Sequence, residues 1–361
     1  MSLLLRHCEE EMFQTVCGCE DPYCIKPVSL TYHSDVEKDI AKMMYRFSDL
    51  ERLSKILLNK LEKDPKYFEK AKIMYDDEQK DSLEFYNTLA KKNLKNVEIK
   101  KLNLLNPKEC DLIIKNIYIV IHLAAIVDIT LSLRDPKKII DVNYNGTLNV
   151  LEACRKFNVG KIIYTSTGGA RVGEPEYLPV DEKHPLKPCS PYGISKHSAE
   201  HYVWMYKELY GVDYFIFCFG NVYGPRDDVK SGRLIPVFVD MMLRGESPKI
   251  FGDGGQTRDF IYVLDLADFI VDNLEKSCDS KLFHLAYGKQ VSVNEVFNNL
   301  KEILDFKGEA EKVEAMKGEV RDIVLDIGLA ERELGWSPRF SLKEGLEASV
   351  DWFKLKQRER H

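Results

Sequence analysis

From about residue 71 to about residue 220 the chain alternates short apolar runs with amphipathic segments, and this rhythm most restricts how it can fold. The stretch 117–123 is nearly continuous apolar, as a strand covered on both faces must be. Lys72-Ile73-Met74-Tyr75 is a shorter apolar run that exits into Asp76-Asp77, and residues 97–102 alternate like a half-buried strand. Lys161-Ile162-Ile163-Tyr164 and residues 212–219 read as further strands. Between them, residues 143–157 place Leu148, Leu151 and Cys154 at helical spacing, and 192–210 read as a second helix. Strands alternating with helices imply βαβ units, and so an α/β fold on a parallel sheet.

The full chain of 361 residues can build a large core and a second, smaller lobe. Its net charge of −6 argues against broad binding to nucleic acid or to an acidic membrane surface. No apolar run approaches the roughly 20 residues that span a bilayer, and the acidic Glu9-Glu10-Glu11 is unlike a secretory signal. Nine cysteines, an odd number scattered along the chain, point to a reducing compartment, the cytoplasm. Four of them, Cys8, Cys17, Cys19 and Cys24, lie near His7 at the start. Their CxC spacing matches structural zinc poorly, so they read as unpaired thiols and no metal is assigned.

The sharpest chemical signal is Ser190-Pro191-Tyr192-Gly193-Ile194-Ser195-Lys196. Ser190 suits a helix N-cap and Pro191 the first helical position. Tyr192 and Lys196, four apart, then share one helix face. An ammonium beside a phenol favours the phenolate, which would lower the tyrosine pKa and make Tyr192 a general base. The plain alternative is an ordinary surface Tyr and Lys. Upstream, Thr165-Ser166-Thr167-Gly168-Gly169 follows a strand, and the carboxyl ends of strands are where open α/β sheets bind ligands. Thr167 could donate to the oxygen from which Tyr192 takes a proton; the alternative is a polar turn.

Together, in this order, these residues resemble the extended short-chain dehydrogenase/reductase family, especially its nucleotide-sugar epimerases. His122-Leu123-Ala124-Ala125, Asn143-Tyr144-Asn145-Gly146-Thr147 and Asn221-Val222-Tyr223-Gly224-Pro225-Arg226 extend the resemblance, as do the stretch 251–265 and Leu334-Gly335-Trp336-Ser337-Pro338. The resemblance implies a doubly wound, Rossmann-like NAD-binding domain over 71–220. A smaller substrate lobe over 221–361 would return strands and helices to it, behind an atypical segment 1–70 that is irregular and then helical. It implies Tyr192 as base, Lys196 tuning it and holding the nicotinamide ribose, and Thr167 orienting the sugar hydroxyl. Asp76, Asp77 and Asn103 would line the adenosine end, with Leu123, Ala124 and Ala125 beside the cofactor. Asn221 and Arg258 would bind the nucleotide diphosphate; the other reading of Arg258 is a salt bridge to Asp259 or Asp265. The family's dehydratases carry an acidic pair after the threonine. Here Gly168-Gly169 stands there, which favours an epimerase or a reductase. The expected assembly is a homodimer through the helix after Asn143 and the one carrying Tyr192.

The chain also departs from the family. The GxxGxxG turn that cradles a pyrophosphate is missing, since Gly18 is the only glycine before Gly146. Residues 47–60 read as a helix without those glycines, and 27–32 as a substitute first strand followed by a helix from Val36. Cys218 and Met316 stand where the family usually has arginines, with Lys317 or Arg321 as partial substitutes. Two readings of different class follow: an active NAD-dependent epimerase inverting C4 of a UDP-hexose, and an impaired relative serving as a binding or scaffold protein.

Overall fold

The structure, a computed structural model, describes residues 2–6, 39–40, 42–45, 71–75, 97–315 and 320–358. Its first strands are β1 (Ser2–Arg6), β2 (Asp39–Ile40), β3 (Lys42–Tyr45), β4 (Ala71–Tyr75) and β5 (Val97–Lys101). Then come α1 (Pro107–Ile114), β6 (Ile119–His122), α2 (Ile129–Arg134), α3 (Pro136–Ile140), α4 (Gly146–Lys156), β7 (Lys161–Thr167), α5 (Pro191–Tyr210) and β8 (Asp213–Phe219). The chain continues through β9 (Asn221–Tyr223), α6 (Leu234–Leu243), β10 (Lys249–Phe251), β11 (Thr257–Arg258), β12 (Phe260–Tyr262), α7 (Val263–Asp272) and β13 (Leu282–Leu285). It ends with β14 (Val291–Ser292), α8 (Val293–Leu304), β15 (Glu311–Val313), α9 (Gly328–Leu334) and α10 (Leu342–Arg358).

The main sheet runs β13-β8-β7-β6-β1-β2, and β6, β7, β8 and β13 are parallel to one another. Successive side chains of a strand face opposite ways, and here both faces are dry. Ile119, Ile121, Ile163, Phe215 and Phe217 enter one core with α7, α9 and Trp336. Val120, Ile162, Tyr164, Tyr214, Ile216 and Cys218 enter the other with α1, α4 and α5. A sheet sandwiched in this way is doubly wound, and its apolar strands follow from that double burial. A third core gathers β9, β12, α6, α8 and α10. No described helix is long and apolar enough to cross a membrane.

The expected strands at 72–75, 97–102, 117–123, 161–164 and 212–219 all form, with ends shifted by a few residues. The strands of 71–220 pair with one another in parallel, as expected, and the N-terminal segment adds an antiparallel edge: β1 lies antiparallel on β6, with Leu3 opposite Ile121, and β2 is antiparallel to β1. An antiparallel strand hydrogen-bonds the open edge of β6 as completely as a parallel one would. The helix expected from Val36 is replaced at the described positions by β2 and β3, so segment 1–70 is not simply irregular and then helical. Lys42-Met43-Met44-Tyr45 pairs in parallel with β4 along its whole length, and β4 pairs in turn with β5. Pairing of this kind overrides a local helical pattern. The candidate strand at 27–32 and the candidate helix at 47–60 lie outside the described residues, as do the N-terminal cysteines.

Trp336 locks the C-terminal segment onto the sheet. It is 2% exposed, meets Phe269 edge-on, and donates its indole N–H to Ala286 O at 2.9 Å. Trp336→Ala should therefore lower unfolding stability by roughly 3–5 kcal/mol, read from urea denaturation.

Candidate functional site

The site is built at the carboxyl ends of β6 and β7. The chain leaves β6 through Leu123, Ala124 and Ala125, each at most 1% exposed. Asn143 fixes this turn from a short π-helical stretch (Asp141–Asn145). Its side-chain oxygen accepts from Ile126 N at 2.6 Å, and its amide donates to Ile126 O at 2.9 Å and to Ser195 Oγ at 3.1 Å. One buried amide thus ties the turn after β6 to helix α5. His122, fully buried, is joined through Nε2 to Thr147 Oγ1 at 2.9 Å, and burial holds its pKa well below the ordinary imidazole value.

Helix α5 begins as its sequence predicts. Ser190 Oγ accepts from Gly193 N at 3.1 Å, and Pro191 occupies the first turn. Gly193 lets this helix approach the loop after β7. A Cβ there would stand 2.1 Å from Ala170 O, so any larger residue would push the helix away. The close approach brings Tyr192 near Thr167, whose hydroxyl favours the phenolate. Lys196, one turn on and 2% exposed, places its Nζ 4.2 Å over the ring of Tyr164. Thr167, Tyr192 and Lys196 are therefore brought together.

The electrostatics differ from expectation. Burial pushes the Tyr192 phenol up to about 12, with the Thr167 hydroxyl opposing it. The same burial lowers Lys196 to about 7, opposed first by Glu200. Desolvation drives each group toward its neutral form and outweighs the expected lowering of the phenol by the lysine. A cation bound beside the phenol would reverse that balance, since an opposite charge favours the phenolate.

The remaining candidates are placed as follows. Asp76 and Asp77 lie outside the described residues. Asn103 is exposed; its side chain accepts from Leu105 N at 2.9 Å in the turn before α1. Asn221 is exposed at the start of β9, which pairs in parallel with β12 and sets Asn221 opposite Phe260, two residues from Arg258. Arg258 is half-buried and donates to Thr257 O at 2.8 Å. The two acids offered as its ion-pair partners have other duties. Asp259 accepts from the backbone N–H groups of Tyr287, Gly288 and Leu325, and Asp265 pairs with Arg339. Arg321 forks onto Asp253 at 2.8 and 3.0 Å, and Met316 and Lys317 lie outside the described residues.

One group behind the site was missed in the sequence. Arg171, 4% exposed, donates from Nη1 to Cys218 Sγ at 2.9 Å and sets Nη2 3.5 Å from Glu200 Oε2. Arg171, on the loop after β7, thus brings a guanidinium beside Cys218. The available signal was Glu200, four residues after Lys196 on a helix, which asks for a buried cation.

The cofactor expected from the resemblance is NAD, and the described residues fit its nicotinamide and ribose end. The turn after β6 carries the small side chains of Ala124 and Ala125, and Asn143 ties that turn to α5, which carries Tyr192 and Lys196. Lys196 and Tyr192 would hold that ribose by hydrogen bonds.

Two outcomes follow. Lys196 carries a lowered folded-state pKa, so the unfolded chain binds more protons between about 7 and 10.5, and its burial costs stability at and below neutral pH. Lys196→Met should be the more stable protein at pH 7, by on the order of 4 kcal/mol. The gain should shrink as pH rises toward 10, measured by denaturation at each pH. Cys218→Arg would set a second guanidinium against Arg171 and should cost more than about 3 kcal/mol. Arg171→Met in the same chain should restore most of it, which a double-mutant cycle reads directly.

Known proteins resemble this chain in sequence and in fold. The sequence model of the NAD dependent epimerase/dehydratase family matches residues 78–285. A putative UDP-glucose 4-epimerase of Methanocaldococcus jannaschii is 45% identical over 245 residues, 68% of this chain and 79% of that protein. The crystal structure of a UDP-glucose 4-epimerase with UDP-glucose from Thermotoga maritima superposes with a TM-score of 0.77 at 31% identity, covering 84% of this chain and 96% of that one. That of a UDP-glucose 4-epimerase from Thermus thermophilus in complex with NAD gives 0.72 at 27% identity, over 84% and 96%. With the ordered strands, the Tyr192–Lys196 helix and these matches in hand, the chain belongs to the NAD dependent epimerase/dehydratase family.

Proposed function

We propose that this protein is an NAD-dependent epimerase that inverts C4 of a UDP-hexose through a transient 4-keto sugar. The observation that carries the reading is the convergence of Thr167, Tyr192 and Lys196 at the ends of the parallel strands. NAD, when bound, supplies the acceptor of a hydride and its return. The chain's residues handle the proton. Tyr192 Oη takes it from the C4 hydroxyl, and Thr167 donates to that hydroxyl oxygen and holds it in line. Once the keto group has presented its other face, Tyr192 gives the proton back. Lys196, as a cation, stabilises the phenolate and grips the ribose hydroxyls.

Asn221 and Arg258 are assigned to the nucleotide diphosphate; Asn221 lies opposite Phe260, two residues from Arg258, and a guanidinium suits phosphate oxygens. Gly168 and Gly169 leave no acid beside Thr167, which supports epimerisation over loss of water. The intact trio favours turnover over a scaffold role. A cytoplasmic homodimer completes the proposal, with α4 and α5 as its face; Ile194, Trp204 and Leu209 expose apolar surface on α5.

The test pairs binding with turnover. Purified protein should bind NAD by calorimetry and interconvert UDP-glucose and UDP-galactose. Tyr192→Phe should lower kcat by about 10²–10⁴-fold while NAD affinity changes little. A folded protein that shows no NAD binding at millimolar concentration overturns the reading.

A further inference from the structure

Behind the Tyr192–Lys196 pair lies a second, fully buried layer of charge. Glu200 follows Lys196 by one helical turn and is 4% exposed. Its carboxylate is held from three elements. Ser166 Oγ on β7 donates to Oε1, His197 Nδ1 on α5 stands 3.0 Å from Oε2, and Arg171 Nη2 stands 3.5 Å from the same oxygen. Arg171 is held in turn by Cys218 on β8. A carboxylate out of water persists only where cations and donors compensate it, and this one has both. It is too deep to touch a substrate. Among the groups around it, Lys196 is the one whose charge matters to the site.

We propose that Glu200 is a positioning residue for Lys196: pinned by Arg171, Ser166 and His197, it is the counter-charge that keeps the buried lysine cationic. The groups facing Lys196 are His122 from β6, Tyr164 from β7, Glu200 from α5, and Cys218 from β8. His122 is neutral, Tyr164 and Tyr192 hold their protons, and burial pushes the Cys218 thiol up to about 12. Glu200 is accordingly the one carboxylate among them, and it is the strongest influence opposing the burial that lowers Lys196. Arg171 has a separate task. It makes Glu200 tolerable in the core, and the small, uncharged Cys218 leaves it room.

The inference rests on the reading of Tyr192 and Lys196 as the working pair, so its test is independent of turnover. Protein labelled with ¹³C at lysine Cε is titrated by NMR, and the Lys196 resonance is assigned by its loss in Lys196→Met. Glu200→Gln should move the Lys196 midpoint down by about one pH unit, tenfold in proton affinity. Arg171→Met/Glu200→Gln removes the buried pair together, leaves no unpaired Arg171, and should still shift the Lys196 midpoint downward, by less than Glu200→Gln because a neighbouring cation is lost too. A Lys196 midpoint unchanged in the folded double variant overturns the proposal. Absence of epimerase activity in the parent protein would leave this readout intact.

Discussion

A lysine ammonium taken out of water beside a phenol is the constraint on which the site depends. Either group alone in a dry interior would settle as its neutral form, and burial pulls Lys196 and Tyr192 that way. The surrounding fold opposes it with a ring of placed groups: the Tyr164 face beneath the ammonium, the Thr167 hydroxyl near the phenol, and the Glu200 carboxylate one turn behind. Tyr164 and Thr167 sit on β7 and Glu200 on α5, which packs across that strand. The site exists only when β6, β7, β8 and α5 are assembled.

Two local devices make that assembly tight enough. Gly193 removes the atom that would separate α5 from the loop after β7, and Asn143 joins the turn after β6 to Ser195. Neither touches a substrate in the proposed chemistry. Both set distances, and distance decides whether a hydroxyl and a phenol share a proton. Arg171 belongs here too: from the loop after β7 it supplies the cation that the buried Glu200 carboxylate needs.

Much of this was legible in the residues. Apolar runs and helical spacing located β4 to β8 and α5 within a few residues, because a strand buried on both faces must be apolar throughout. Ser190 and Pro191 marked the start of α5 because capping is local chemistry. Thr167, Tyr192 and Lys196 were legible by order and spacing. The direction of the Tyr192 shift was not, since it depends on desolvation by residues far away in the chain. Nor was the direction of β1, because a short apolar strand can pair either way along a sheet edge.

The sequence by itself determined the element order, the helix that carries Tyr192 and Lys196 on one face, and the chemical identity of the reacting groups. These follow from periodicity, capping and side-chain type, all of them properties of neighbouring residues. Only the tertiary structure decided that Arg171 meets Cys218 and Glu200, that Gly193 presses on Ala170, and that burial sets the protonation of the pair. Such facts depend on which distant segments exclude water from one another, and no local pattern records that.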